Sequence, residues 1–582
     1  MNEYYMNKIK DLLIFIYGRE QGMLTFDSLQ QLIPKKTTSS KAAKLRDSLT
    51  EKDTCLITYG DMLQPSKKEP ETHSQTALEQ LKEFLERWNH GSFNYLHILP
   101  FHPYSSDDGF SVIDYREIDP ALGDWNDIAA LAKEYKLVFD LVLNHGSKQS
   151  AWFQSFLENK ESYRDWYITK PADFDVSSVF RPRMHPLLTP FFRKDGSVVF
   201  VWTTFSEDQV DYNLANPQVL LEFIKIFFEY IEHGARIVRL DAIAYIWKED
   251  GTSCIHHPKT HAIVKLLRAL IDYLELDVLI LTETNVPNEE NLSYFGKGDE
   301  AHLVYNFALP PLVLHAAVSG DASPLRTWAN TLPQPGEGPI FFNFLASHDG
   351  IGVLPINGLV DDLSFKKTLN TVIERGALVS YKNAQSGPVP YEINCSYLSA
   401  VAPLSLGTSK ERARAFLCCH GVLFAFAGLP AVYFHSWVGS EQWEEGPQLF
   451  GYNRAINREK PRKDIVETAL NDEHSLRASV YTGFEKLLTF RKSERSFAPD
   501  IPQQILPAEG SVFALARGPD PSGRYVLCIQ NLSNNQAKFD LRTAPKIEIL
   551  IQHGIDSEML LSPWETRWIG YGGGKAISML EI

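Results

Sequence analysis

The sequence contains few cysteines and no motif that would join them. No CxxC pair occurs among the six, which are Cys55, Cys254, Cys395, Cys418, Cys419 and Cys528. This scatter argues against a disulfide framework and against a cysteine-based zinc site. It is typical of reduced thiols, and we therefore expect a cytoplasmic protein.

Long apolar runs and basic clusters are also missing. No stretch is long and apolar enough to span a membrane, and the short segment DLLIFIYG (11–18) lacks the cleavage site of a signal peptide. The formal net charge is −15, so we expect neither a nucleic-acid nor a membrane partner. An anionic small substrate stays possible, because a few arginines and lysines can dominate the field at one site.

Eight short apolar runs alternate with amphipathic helical segments in this chain of 582 residues. Continuous apolar strands between helices indicate a parallel sheet covered on both faces, and eight of them favour an α/β fold, the closed (β/α)8 TIM barrel. A doubly wound open sheet is the alternative, but no glycine-rich phosphate turn follows the first strand. The runs are CLITYG (55–60), YLHILP (95–100), LVFDLVL (137–143), ARIVRLD (235–241), VLILTE (278–283), HLVYNFA (302–308), IFFNFLA (340–346) and PAVYFHS (430–436).

Flanking and inserted segments complete the predicted organisation. Residues 1–50 indicate an N-terminal helical arm, and residues 51–499 the barrel. Two connections are too long for simple loops: about 146–205 after strand three (domain B) and about 350–400 after strand seven. Loops at the carboxyl ends of barrel strands build active sites, so both insertions should select the substrate. In residues 500–582, the runs SVFALAR, YVLCIQNL, IEILI and TRWIGY predict a small antiparallel β domain.

Chemically active side chains recur where four of the predicted strands end. A lone histidine or an Asp–Arg pair at one strand end is usually structural. A parallel barrel, however, brings all these ends to one mouth, which favours a catalytic role for the set. The residues are Asp140 and His145 closing strand three, Arg239 and Asp241 closing strand four, Glu283 closing strand five, and His348 and Asp349 closing strand seven.

Two of these carboxylates suit retaining glycosyl transfer. That reaction needs an ionised carboxylate as nucleophile and a protonated carboxyl as acid, roughly 5–5.5 Å apart. Arg239, on the same strand face as Asp241, should keep Asp241 ionised. Burial after the apolar VLILT should raise the pKa of Glu283 so that it holds its proton.

The segments DLVLNH, RIVRLDA, LTET and LASHD resemble, in order and spacing, the four signature segments of the α-amylase superfamily of glycoside hydrolases. The resemblance covers the chain from about residue 50 to its end. It implies that Asp241 is the nucleophile, Glu283 the acid/base and Asp349 the transition-state stabiliser. The residues that it implies to hold the sugar are Arg239, His145 and His348.

Other segments resemble the sucrose phosphorylase group: FHPYSSDDGFSVIDY (101–115), DGTSCIHHPKTH (250–261), FALPPLVLH (307–315) and SHDGIGVLP (347–355). By that resemblance Asp107 hydrogen-bonds the glucose, and Arg458 binds a sugar hydroxyl beside Asp107. It also implies Gln209 beside the nucleophile, with Phe110 and Phe205 as apolar walls. Amylases commonly carry a calcium-associated histidine four residues after the nucleophile. Tyr245 stands there in this chain, so we expect no metal.

In a phosphorylase, phosphate rather than water opens the covalent glucosyl-enzyme. Phosphate needs local cationic donors, and arginine suits it geometrically. Arg181 and Arg183 lie in the first insertion, and Arg183 matches the acceptor-site arginine of the phosphorylase group. Lys382 lies in the second insertion, whose VSYK and PYEIN segments resemble those of glucosylglycerate phosphorylases, which use the carboxylate-bearing acceptor glycerate. For each cation, a solvated loop charge is the alternative.

The sequence therefore predicts a retaining glucoside phosphorylase acting on 2-O-α-D-glucosylglycerate. We expect no cofactor, with inorganic phosphate as co-substrate. The expected partners are the small-molecule glucoside and phosphate, and the expected assembly is a monomer or homodimer. The alternatives are a phosphorylase for sucrose, sucrose 6′-phosphate or glucosylglycerol, a related α-glucosidase or transglucosidase, and a non-catalytic carbohydrate-binding relative.

Overall fold

Eight parallel strands close into a barrel in the structure, a computed structural model that describes residues 2–34, 49–66, 75–336, 340–384 and 387–582. Each strand pairs with its neighbours in chain order, and the last pairs with the first. The (β/α)8 barrel is thereby confirmed and the open sheet excluded. The strands are β1 (Cys55–Thr58), β2 (Tyr95–Ile98), β3 (Lys136–Val142), β4 (Ala235–Asp241), β5 (Leu279–Thr282), β6 (Leu303–Tyr305), β7 (Ile340–Asn343) and β8 (Leu429–Tyr433).

Several helices begin where the sequence supplies a capping side chain or a proline. Thr76 and Asp124, for example, cap α3 and α4 through reciprocal bonds with a carboxylate three residues on. The helices are α1 (Asn2–Tyr17), α2 (Arg19–Leu32), α3 (Ala77–Trp88), α4 (Trp125–Ala132), α5 (Ala151–Leu157), α6 (Pro217–Glu232), α7 (Pro258–Leu274), α8 (Asn288–Leu292), α9 (Leu309–Ser319), α10 (Ser323–Ala329), α11 (Asp362–Glu374), α12 (Tyr397–Val401), α13 (Ser409–Ala425), α14 (Phe434–Trp437), α15 (Gly446–Phe450), α16 (Lys463–Asn471), α17 (Leu476–Ser493) and α18 (Ile547–Gln552). None of the helices within the described ranges could cross a membrane.

The barrel register places the key strand ends side by side. Between β4 and β5, Leu240 pairs with Thr282, so the next residues, Asp241 and Glu283, are neighbours. The Glu283 backbone N–H donates to the Leu240 carbonyl at 3.2 Å. The two carboxyl groups are thus fixed by backbone pairing rather than by a mobile loop.

Both predicted insertions form small subdomains. After β3, His145–Ser147 pairs with Gln209–Asp211, and Thr169–Lys170, Val198–Trp202 and Leu188–Phe192 form an antiparallel sheet. After β7, Ile351–Gly352, Gly387–Asn394 and Leu378–Ala384 form a second antiparallel sheet. The loop insertions of the predicted fold are therefore confirmed.

The C-terminal region is an antiparallel β domain, as predicted. Its main sheet contains Gln503–Ile505, Val512–Arg517, Arg524–Asn531, Thr566–Gly572 and Ser578–Glu581, and Ala537–Asp540 pairs with Glu558–Leu561.

The prediction of a strand at IEILI was wrong, because this segment is helix α18. Ile547 and Leu550, three residues apart, both pack against the domain core, whereas Ile551 is exposed. That spacing is helical, and a five-residue apolar run is too short to separate it from strand alternation.

The N-terminal segment forms the two helices α1 and α2. The side chains of Ile9 and Leu13 are fully buried, and Lys8 forms an ion pair with Asp299 at 3.2 Å. The Tyr17 hydroxyl donates to the Leu214 carbonyl at 2.9 Å, which ties α1 to the connection before α6. Residues 35–48 of the predicted arm lie outside the described residues.

Candidate active site

One pocket at the carboxyl end of the barrel contains the three predicted catalytic carboxylates. Asp241 ends β4, Glu283 follows β5, and Asp349 follows β7. The predicted binding residues that line the same pocket are Asp107, Phe110, His145, Arg183, Phe205, Gln209 and His348.

Arg239 lies beneath this pocket rather than in its wall. Its side chain is buried and donates to Asp241 at 2.8 Å and to Asp140. Asp140 in turn binds the His97 ring at 2.7 Å. Although burial opposes ionisation, His97 and Arg239 lower the pKa of Asp140 to about 2, so it stays charged and holds Arg239 under the nucleophile.

Burial raises the pKa of both Asp241 and Glu283. Arg239 opposes the rise at Asp241, as expected, although it does not cancel the effect of burial. Two neighbouring carboxyl groups with raised pKa values share one proton. Because Arg239 donates directly to Asp241, the proton belongs on Glu283, whose carboxyl accepts the Ala242 N–H at 3.0 Å.

Asp349 has the opposite electrostatic setting. Burial would raise its pKa, but the guanidinium groups of Arg454 and Arg458 outweigh burial and lower it. Arg454 forms an ion pair with Asp349, and the Arg458 guanidinium lies 3.8 Å from the same oxygen. Asp349 therefore carries a negative charge in the same pocket as the Asp241–Glu283 pair.

One end of the pocket combines aromatic walls with hydrogen-bonding groups. The Phe110 ring stacks on His348 with centroids 4.7 Å apart, and Phe205 packs against His145 at 5.2 Å. The Gln209 amide lies 3.2 Å from His145 Nε2 and 3.5 Å from the Asp107 carboxylate. Burial lowers the pKa of His145 and of His348, so both rings are neutral.

Arg458 lies behind this end and is nearly inaccessible. Its guanidinium donates to Asp107 at 3.1 Å and to Asp108 at 2.7 Å, and its Nε donates to the His348 carbonyl at 2.8 Å. Arg458 does not line the pocket. It contacts the pocket through Asp107, with which the sequence prediction had paired it.

The three loop cations that the sequence singled out have different settings. The Arg183 guanidinium lines the pocket and lies between the rings of Phe205 and Tyr391, 5.9 and 5.4 Å from their centroids. Arg181 instead donates to the His185 carbonyl at 2.5 Å. Lys382 lies outside the pocket lining, over the Phe180 ring at 4.8 Å. Among the described residues, neither Arg183 nor Lys382 has a carboxylate ion-pair partner.

Sequence reasoning missed the Arg454–Glu392 pair. Arg454 contacts both Asp349 and the buried Glu392, whose carboxylate also accepts the Gly350 N–H at 2.9 Å. Both residues line the pocket. Arg454 lies four residues before Arg458, and Glu392 lies in the PYEIN segment, but their pairing depends on how the second insertion folds back.

A buried ammonium joins the barrel to the first insertion. Lys248 Nζ lies 2.6 Å from Asp211 and 2.7 Å from the Asn144 amide oxygen, and both acidic partner and ammonium are buried.

Tyr245, the residue four after Asp241, lines the pocket and packs against Phe205. Among the described residues, no group of three or more His, Cys, Asp or Glu side chains could hold a metal ion.

Replacing Lys248 by Met should lower the free energy of unfolding, and the variant should require no metal ion for activity. Asp211 would become a buried carboxylate without its counter-charge, which costs about 3–5 kcal/mol of the free energy of unfolding. Denaturant unfolding measures this loss. Lys225→Met, which removes an exposed partner of Glu222 at 2.8 Å, is the matched control and should cost about 1 kcal/mol or less. Equal losses of unfolding free energy in the two variants would contradict this prediction. Loss of wild-type activity on addition of a chelator would also contradict it.

Comparison with known proteins places this pocket among glucoside-processing barrels. Residues 92–334 match the family described as alpha amylase, catalytic domain. The chain is 47% identical over 557 residues to the glucosylglycerate phosphorylase of Spirochaeta thermophila, covering 94% of this chain and 93% of that protein. It is 40% identical over 567 residues to the glucosylglycerate phosphorylase of Escherichia coli, covering 97% and 99%.

A solved structure shows the same fold. The crystal structure of sucrose 6F-phosphate phosphorylase from Thermoanaerobacter thermosaccharolyticum superimposes with a TM-score of 0.74 at 24% identity, covering 94% of this chain and 100% of that chain.

Proposed function

We propose that this chain, which belongs to the glucosylglycerate phosphorylase family within the α-amylase superfamily, catalyses the reversible phosphorolysis of 2-O-α-D-glucosylglycerate to α-D-glucose 1-phosphate and D-glycerate. The names of its most similar relatives suggest this substrate. The observation that carries the proposal is Arg183, a cation without a carboxylate partner among the described residues, in the pocket of the catalytic carboxylates.

The reaction is a double displacement that retains the anomeric configuration. Asp241 attacks the anomeric carbon while Glu283 gives its proton to the departing glycerate oxygen. Glu283 then takes a proton from phosphate, whose oxygen attacks the same carbon and displaces Asp241. Asp349, held ionised, stabilises the positive charge that develops on the sugar in both transition states.

Charge balance in the pocket explains why anions are accepted there. Five carboxyl groups line it, those of Asp107, Asp241, Glu283, Asp349 and Glu392, and they would repel glycerate and phosphate if they had no cationic partners. Glu283 carries a proton, Arg239 pairs with Asp241, Arg454 pairs with Asp349 and Glu392, and Arg458 pairs with Asp107. Arg183 is left to bind whichever anion occupies the acceptor position, and its planar guanidinium, flanked by two rings, suits both a carboxylate and a phosphate.

The proposal extends to the setting of the reaction. We propose that the enzyme needs no resident cofactor, because phosphate enters as a co-substrate. We also propose that it works in the cytoplasm, as a monomer or homodimer.

The test runs the reaction in reverse. Purified enzyme receives α-glucose 1-phosphate with glycerate, glycerol, fructose or fructose 6-phosphate, and phosphate release is followed. Release that depends on glycerate is expected. Preference for glycerol or a fructose would overturn the proposed acceptor, and equal release without any acceptor would identify a hydrolase.

The same assay with two variants tests the role of Arg183. Arg183→Gln should raise the KM for glycerate and for phosphate about 10- to 100-fold, because each anion loses a charged hydrogen bond. Lys382→Gln is the matched control: it removes a second unpaired loop cation, but one outside the pocket, so its KM values should change less than about threefold. A larger effect at Lys382 than at Arg183 would transfer the anion site to Lys382.

A further inference from the structure

The loop after β2 has an unusual backbone where it enters the active site. Asp107, Asp108 and Gly109 have φ values of 52°, 48° and 108°, so three successive residues are in the positive-φ region. Gly109 is required there, since a Cβ would lie 2.5 Å from the Pro100 carbonyl oxygen. Two successive aspartates hold such a conformation only when their surroundings fix it.

Asp108 supplies much of that fixation, although it does not line the pocket. Its carboxylate accepts one hydrogen bond from Arg458 at 2.7 Å and another from the Tyr452 hydroxyl at 2.6 Å. Tyr452 belongs to the connection after β8, and its ring centroid lies 5.7 Å from the Arg458 guanidinium. The contact therefore joins the loops that follow β2 and β8, the two strands that flank β1 in the barrel.

The position of Arg458 depends on this contact. One nitrogen, Nη1, is shared by Asp107 and Asp108, and Nε donates to the His348 carbonyl. The remaining nitrogen, Nη2, is buried and has no hydrogen-bond partner among the described residues. It lies 3.8 Å from Asp349 Oδ1, which places a free donor between Asp107 and Asp349.

We propose that Asp108 and Tyr452 are positioning residues for the glucosyl end of the site. They hold Arg458 on the Asp107 side and keep it from closing onto Asp349. Without Asp108, Arg458 would lose one of its carboxylate partners and move the short distance to Asp349. Asp107, which Arg458 holds, and the stabilising charge of Asp349 would then be displaced together. This inference rests on the proposed function only in requiring glucosyl transfer, not in requiring glycerate.

The experiment uses Asp108→Asn and Tyr452→Phe with Asp114→Asn as the control. Asp114 is an exposed aspartate of the same loop that accepts only the Arg116 N–H at 2.9 Å among the described residues. The readout is exchange of labelled phosphate into α-glucose 1-phosphate, which needs no second sugar or glycerate. Asp108→Asn should lower the kcat/KM for α-glucose 1-phosphate roughly 100-fold, because it displaces groups at the reacting centre.

The pattern across substrates separates positioning from general damage. The KM for phosphate and that for glycerate should stay within about twofold, Tyr452→Phe should have a smaller effect of the same kind, and the double variant should lose little more than Asp108→Asn. Equal losses of kcat/KM for the glucosyl donor and for the acceptor substrates would overturn the inference. So would losses in Asp108→Asn no larger than those in Asp114→Asn. Absence of exchange by the wild-type enzyme would instead overturn the proposed function and, with it, this inference.

Discussion

Asp241→Asn is expected to abolish glucosyl transfer, lowering kcat by about 10⁴-fold or more, as loss of a covalent nucleophile does in other enzymes. The amide is nearly isosteric, and Arg239 retains Asp140 as its counter-charge, so the fold should persist. Exchange of labelled phosphate into α-glucose 1-phosphate measures the loss. A glucosyl adduct, detected by mass spectrometry on Asp241 of the wild-type enzyme, should be absent from the variant.

Two comparisons make this result specific. Asp349→Asn also removes a pocket carboxylate but leaves the nucleophile, so it should slow the reaction while an adduct still forms on Asp241. Asp241→Asn that retained exchange within about 100-fold of wild type, with deamidation and contamination excluded, would show that another group attacks the sugar.

The barrel was predictable because its strands carry a strong pattern. Every strand from β1 to β8 coincides with a predicted apolar segment, although β3 and β8 each begin one residue before it. The parallel register then determines which strand ends lie side by side. The proximity of Asp241 and Glu283 therefore follows from their positions at the ends of two adjacent strands. No such rule applied to IEILI, where a single helical turn and a strand have the same composition.

The remaining part of the site depends on loops whose paths the sequence does not encode locally. In the sequence, Lys382 and Arg183 look equivalent, because each is a cationic residue in a long insertion. In the structure, only Arg183 of the two lines the pocket. Sequence reasoning predicted a role for Arg458 but not for Arg454, four residues before it. The reason is that the ion pair of Arg454 with Glu392 joins two connections that are separate in the sequence. Likewise, the raised pKa of Asp241 reflects the depth of its burial, which the presence of Arg239 in the sequence could not reveal.

Glu283→Gln is the second variant with a large expected effect, and its effect should depend on the leaving group. With glucosylglycerate, kcat should fall by about 10³-fold, because the alkoxide of glycerate departs poorly without a proton. With α-D-glucosyl fluoride, whose leaving group needs no proton, formation of the glucosyl-enzyme should be nearly normal. The glutamine can still accept the Ala242 N–H, and Glu290→Gln, outside the pocket lining, is the control.

The pH dependence of the same variant completes the test. Wild-type activity requires one proton on the Asp241–Glu283 pair, so it should fall at low pH, where Asp241 gains a proton, and at high pH, where Glu283 loses its own. Because burial raises the pKa of Glu283, the alkaline limb should lie above the ordinary range of a glutamic acid. In Glu283→Gln assayed with the fluoride, the alkaline limb should disappear and the acidic limb remain. An unchanged alkaline limb would mean that a group other than Glu283 is the acid, whatever the size of the loss in kcat.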